Sequence, residues 1–180
     1  MEMLDIVDEN GEPTGIIKER SKVHAEGDLH RTSHVWIVRD NGKGGLDVLL
    51  QKRSKDKDSH PGCYDISSAG HIPAGSTYVD SALRELEEEL GIKASSEELE
   101  ERMIRHIAET NIFYGKAFID NQITRVYRLK RNDIDLSKLK LQQEEIEAVM
   151  WMDYELCIEA IKNNTIKHCV YLEELECLKD

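Results

Sequence analysis

The chain is short of positive charge: 24 Lys and Arg stand against 36 Asp and Glu, a formal net charge of −12 over 180 residues. A nucleic-acid polymer is gripped mainly by Lys and Arg that neutralise phosphates, so this deficit argues against one as the partner. No apolar run approaches the ~18–20 residues needed to span a bilayer. The opening MEMLDIVDENGEP lacks the basic and greasy parts of a secretory signal. A cytoplasmic protein with no membrane segment is therefore expected. The four cysteines, Cys63, Cys157, Cys169 and Cys177, form no CxxC pair. That removes a zinc ribbon or disulfide scaffold and leaves reduced thiols. Repeats, low-complexity tracts and linkers are missing as well. At ~100–200 residues per domain, the length predicts a single domain over residues 1–180.

What is present reads as alternating strands with few helices. Asn10-Gly11 between short β-prone runs predicts an N-terminal hairpin over about residues 1–22. Residues 34–38 (HVWIV) and 47–51 (DVLLQ) read as strands around the glycine-rich 41–45, and a charged loop, 52–61, ends in Pro-Gly. A further strand is expected over 64–68, with others over 104–111, 122–129 and 149–152, while 137–141 is ambiguous. Val79, Ala82, Leu83, Leu86 and Leu90 recur at helical spacing, which predicts a helix over 79–90 capped by Ser76 or Thr77 and stopped by Gly91. C-terminal helices are expected over about 154–178, as 154–163 and 167–178. The pattern gives an α+β or α/β/α layered domain, a sheet flanked by helices.

Residues 80–102 carry half of the net charge. At ~100° per residue, Glu85, Glu88 and Glu89 crowd one edge of the helix beside its apolar stripe, while Glu87 points elsewhere. Like charges at these spacings repel. Arg84 reaches Glu88 one turn on, but one cation cannot neutralise three carboxylates. Hard divalent cations such as Mg²⁺ take such oxygen ligands and leave positions open for water and phosphate. A merely solvated acidic face is the alternative from the helix alone.

The run from Gly70 to Ile92 resembles the Nudix box, G-x5-E-x7-R-E-U-x-E-E-x-G-U with U aliphatic. Gly70, Arg84, Glu85, Leu86, Glu88, Glu89, Gly91 and Ile92 match at the right spacing. One position departs, with Ser76 where the family has a glutamate that supports the box arginine. The resemblance implies an α/β/α Nudix sandwich whose loop-helix-loop presents carboxylates to Mg²⁺ or Mn²⁺, and attack of water on a diphosphate linked to another moiety. It carries over Glu85, Glu88 and Glu89 as metal ligands, joined by the Gly70 carbonyl, with Arg84 in the catalytic set. Glu88 or Glu89 is the first choice of general base, and Glu144 or Glu145 the second.

Outside the box, the opening D-E-N-G-E-P-T-G, the pair His24 and His30, the run Pro61 to Ile66 and His71 after Gly70 resemble the branch of isopentenyl-diphosphate isomerases and their hydrolase relatives. In the isomerases, three histidines and two glutamates hold a divalent metal. His24, His30 and His71 match the histidines, but the glutamate positions fall on Asp120 and Gln122, and the essential cysteine position holds Ala69. Moving a double bond needs an acid and a base on opposite faces. Ala69 and Gln122 supply neither, so the isomerase is disfavoured. The three histidines read first as hydrogen-bonded scaffold and second as a remnant metal cage. Arg53 and Lys57 match positions where the isomerases hold diphosphate, and Arg and Lys suit phosphate chemically.

The expectation is a Mg²⁺- or Mn²⁺-dependent hydrolase of a small diphosphate, such as a nucleoside diphosphate derivative, working as a monomer or homodimer. The alternatives are an isomerase-like enzyme and, because of Ser76, a non-catalytic diphosphate-binding module.

Overall fold

The computed structural model describes residues 2–180. A hairpin of β1 (Met3–Val7) and β2 (Pro13–Glu19) leads into α1 (Arg20–Glu26), β3 (His30–Asp40) and β4 (Leu46–Arg53). The short β5 (Tyr64–Asp65) and β6 (Ser68–His71) precede α2 (Tyr78–Leu90). The long hairpin of β7 (Leu99–Phe113) and β8 (Lys116–Lys130) follows, then β9 (Ile146–Asp153), α3 (Tyr154–Lys162) and α4 (Leu172–Glu176). Strands β3 to β9 form one mixed sheet in which only the β3–β8 pairing is parallel.

Side chains alternate across that sheet, and the alternation sorts the core into two layers. Val35, Ile37 and Leu49 face Ala82, Leu86 and Leu90 of α2. Trp36, Val38, Val48 and Leu50 face Cys157, Ile161 and Leu175 of the C-terminal helices. Each fully buried Leu or Ile contributes ~1.5–3 kcal/mol, enough on both faces to hold helices there. The result is the expected α/β/α sandwich. Among the described residues no helix is long and apolar enough to cross a membrane.

The sheet forks, and the fork makes the site. β3 and β4 pair only from Val38 to Asp40 against Leu46 to Val48, and then diverge. β6 pairs β3 through Ser68 to His71, and β5 pairs β4 through Tyr64 and Asp65. At the crotch, the Ser67 hydroxyl accepts from the Ile37 amide (2.8 Å) and donates to the Leu49 carbonyl (2.6 Å). The single strand expected over 64–68 is therefore two, broken where the chain crosses between diverging strands.

Other boundaries also moved. α1 was not anticipated, because its charged sequence hides a single buried apolar residue, Val23; Gly27 at φ 73° stops it. The expected helix 167–178 shrinks to Leu172–Glu176. Its first residues instead run beside β5, with the Tyr64 amide donating to the Lys167 carbonyl (2.9 Å) and the Cys169 amide to the Tyr64 carbonyl (3.0 Å). β7 and β8 outgrow the expected 104–111 and 122–129, since past one irregularity between Glu101 and Met103 they stay paired to a turn at Tyr114 (φ 51°) and Gly115 (φ 76°). Residues 137–141 hold only a single 3-10 turn, Leu136–Lys138.

Candidate metal and diphosphate site

α2 begins at Thr77, whose hydroxyl accepts from the Asp80 amide at 3.1 Å; Ser76 does not cap it. Gly91 ends it in the left-handed region, at φ 70°. Between these stops the apolar stripe is buried, and the three carboxylates take graded depths beside it. Glu88 remains 53% exposed, Glu85 is 15% exposed, and Glu89 is 6% exposed.

Burial is what perturbs them. Loss of water, reinforced by Glu85, pushes the Glu89 carboxyl up to about 8. Burial also pushes Glu85 up to about 7, with Arg84 pulling down and Glu88 pushing up. One oxygen of Glu89 is buried without a hydrogen-bond partner. Arg84 bridges the other two, donating to Glu85 (2.7 Å) and Glu88 (2.8 Å). Gly70 on β6 lies against the end of Glu85, and a Cβ there would collide with that carboxyl group. The absence of a side chain lets helix and strand approach closely. Three carboxyl groups, one with an orphaned oxygen, beside the half-buried Gly70 form a donor set that, once ionised, suits a hard divalent cation. Glu85, Glu88, Glu89 and the Gly70 carbonyl are the groups that could hold it.

These groups line a cleft of about 310 Å³ at the fork, and Arg53, Lys57 and Glu145 line it too. Arg53 is not a free fork: it donates to Asp65 (2.9 Å) and to the Ser59 carbonyl (2.9 Å), which fastens the 52–61 loop. Lys57 forms an ion pair with Glu145. A phosphate in the cleft would compete with Glu145 for Lys57 and meet Arg53 at one edge. Glu144 is exposed and does not line the cleft.

The three histidines converge. Their ring nitrogens lie within 4.8 Å of one another, and His24 Nε2 is 3.0 Å from His71 Nε2. His24 Nδ1 lies 3.1 Å from the Ile119 carbonyl oxygen and His30 Nδ1 2.9 Å from that of Asp28. A carbonyl only accepts, so each Nδ1 carries the proton and each Nε2 of the neutral ring keeps its lone pair. Burial holds all three rings neutral, with His24 lowered to about 4 and His71 well below its ordinary value. His30 Nε2 is buried and unpartnered. Asp120 sits 3.4 Å from His24 Nδ1, its carboxyl pushed up to about 6 by burial and then by Glu109. Gln122 pairs with His30 across the β3–β8 ladder, and Ala69 with His34 across β3–β6.

Several cleft residues escaped sequence reading: His34, Asp65, Cys169 and Tyr171. Behind them Glu174, fully buried on α4, accepts from His34 Nδ1 (3.0 Å) and Trp36 Nε1 (3.1 Å). Partners 140 residues apart leave no local signal. An apolar cavity of about 650 Å³ adjoins the cleft, with Phe113, Tyr114 and Phe118 of the β7–β8 hairpin along one wall.

Comparison with known proteins agrees with this architecture. Residues 29–171 match the NUDIX domain family. The chain is 45% identical over 155 residues to Nudix hydrolase 3 of Arabidopsis thaliana, a match that covers 86% of this chain but only 19% of that protein. It is 35% identical to an uncharacterized Nudix hydrolase of Clostridium acetobutylicum, over 86% of this chain and 71% of that one. A solved structure from Deinococcus radiodurans superposes with a TM-score of 0.71 at 19% identity, covering 99% of this chain and all (100%) of that one. That last likeness is one of fold.

Proposed function

The chain belongs to the NUDIX domain family of hydrolases, and from that premise we propose that it uses Mg²⁺ or Mn²⁺ to hydrolyse a small diphosphate linked to another moiety. The observation that carries this reading is the buried, unpartnered oxygen of Glu89, beside Glu85 and Gly70 and in the same cleft as Arg53 and Lys57. Glu85, Glu88, Glu89 and the Gly70 carbonyl would hold the cation. When bound, the cation neutralises carboxylate and phosphate charge together and lowers the pKa of an attacking water.

The remaining work falls to the chain's own groups. Glu89, with a depressed tendency to ionise when alone, is returned to the carboxylate form by a nearby cation. Glu88, the most exposed of the three, is placed to take the proton of an incoming water. Glu145 is the second choice, since it lines the cleft but is held by Lys57. Arg84 offsets the mutual repulsion of Glu85 and Glu88 by donating to one oxygen of each, which leaves the second oxygen of each carboxylate for the cation. Lys57 would orient the phosphates directly, while Arg53, tied to Asp65 and Ser59, adds positive charge to the cleft lining. The adjoining cavity, with aromatic Phe113, Tyr114 and Phe118 beside charged Arg20, Asp58 and Lys116, offers room for the organic half.

Ala69 and Gln122 offer no ionisable group at the positions where the isomerases need one, which leaves hydrolysis as the favoured chemistry. Phosphate release from a panel of diphosphate esters with Mg²⁺ tests the reading. Turnover of at least one ester is expected. No turnover of any, with calorimetry still detecting binding, would make the protein a binding module. Double-bond migration in isopentenyl diphosphate would make it an isomerase.

A further inference from the structure

Residues 72–77 carry the chain from the Gly70 strand to α2, so their placement bears on how Gly70 approaches Glu85. The segment reads Ile-Pro-Ala-Gly-Ser-Thr and has no carboxylate of its own, because Ser76 stands where the family has its glutamate. It is nevertheless tied down from outside. The Ile72 amide donates to the Arg31 carbonyl (3.0 Å) and the Ala74 amide to the Met3 carbonyl (2.9 Å), while Leu4 bridges Pro73. The Gly75 amide donates to Asp5 Oδ2 at 2.9 Å. Arg31 Nη2 donates to the same Asp5 oxygen (3.0 Å) and to the Ser76 carbonyl (3.3 Å).

Asp5 and Arg31 are each at least nine-tenths buried, 7% and 9% exposed. Charge-assisted bonds made away from water are strong and directional. One carboxylate of β1 thus gathers the loop amide and, through Arg31, the loop carbonyl. The N-terminal hairpin lies before residue 29, where the family match begins.

We propose that Asp5 is a positioning residue of the metal site: from the N-terminal hairpin it locks the loop that sets Gly70 against the α2 carboxylates. The inference rests on the metal reading above, and groups that orient ligands are worth roughly 10–100-fold in metal affinity when removed. Titration of the full chain with Mn²⁺, followed by electron paramagnetic resonance, tests it. Asp5→Ala should weaken Mn²⁺ binding by about 10–100-fold and speed hydrogen exchange at the Gly75 amide. Asp5→Asn keeps an acceptor for Gly75 but loses the charge facing Arg31, and should show a smaller loss. Ile161→Ala opens the opposite core layer and should leave Mn²⁺ affinity unchanged. If both Asp5 variants bind Mn²⁺ within twofold of wild type, or Ile161→Ala weakens it equally, the proposal is overturned. If the wild type binds no Mn²⁺, the metal reading falls and takes this one with it.

Discussion

Two clusters of titratable side chains lie close together, the carboxylates lining the cleft and the histidines reaching it through His71, and burial acts on them with opposite consequences. On α2 it drives Glu85 and Glu89 toward protonation, up to about 7 and 8. At the junction of α1, β3 and β6 it drives His24 down to about 4 and lowers His30 and His71 as well. Both clusters move toward their neutral forms, since desolvation penalises charge of either sign. A protonated carboxyl has lost ligand capacity, whereas a neutral imidazole has gained it. In the proposed site a bound cation would favour the carboxylate forms of Glu85 and Glu89, whereas the three histidine rings are neutral without one. The same physics thus leaves the two clusters poised differently toward a cation.

Removing the deepest carboxylate should break that contrast most severely. Glu89→Gln is expected to lower turnover by roughly 10²–10⁴-fold with the circular dichroism unchanged, because the amide satisfies the cavity but cannot ionise. Near-normal turnover would refute the metal assignment. Next in size, Gly70→Ala places a methyl group against the Glu85 carboxyl. It should cost ~1–3 kcal/mol of stability as overpacking and lower Mn²⁺ affinity in parallel, measured by thermal denaturation and titration.

His34 and Glu174 supply the crossed case, a buried histidine facing a buried carboxylate. Burial pushes His34 down, but the Glu174 carboxylate and its hydrogen bond outweigh this, with Asp65 adding and Arg105 opposing, so the pKa is raised above 6.5. A raised folded-state value means the pair's contribution is fully present below the unfolded value near 6.5 and is lost as pH rises through the higher folded one. Glu174→Gln should destabilise by ~3–5 kcal/mol, the cost of leaving a buried partner unpaired. The gap from wild type in denaturant midpoint should be widest below pH 6.5 and narrow above it; a gap independent of pH would show that His34 is not charged in the fold. The smallest effect is expected from His71→Ala, less than about tenfold on Mg²⁺-dependent turnover. A loss as large as that of Glu89→Gln would turn the histidine cluster from scaffold into a working metal cage.

Legibility in the sequence followed the range of the interaction. Leu86, Glu85 and Glu89 lie within one helix, so spacing alone placed them on adjoining edges, and Gly91 marked where that helix stops. The apolar run Val35, Trp36, Ile37 and Val38 likewise announced a strand, and the structure divides it between the two core layers. α1 was invisible because seven residues with one buried aliphatic carry almost no periodic signal. Arg53 was legible as a cation near phosphate, but its commitment to Asp65 and Ser59 was not.

By itself, then, the sequence determined the layered fold, the acidic edge of α2 and the deficit of basic charge. These follow from residue type and local period, whereas the reading of Ala69 and Gln122 against an isomerase rests on the family resemblance. Only the tertiary structure decided the depth of each glutamate, the meeting of His24, His30 and His71, the anchoring of the box loop by Asp5, and the His34–Glu174 pair. The reason is physical: desolvation and long-range hydrogen bonds depend on which segments the forked sheet brings together, and no spacing along the chain encodes that depth.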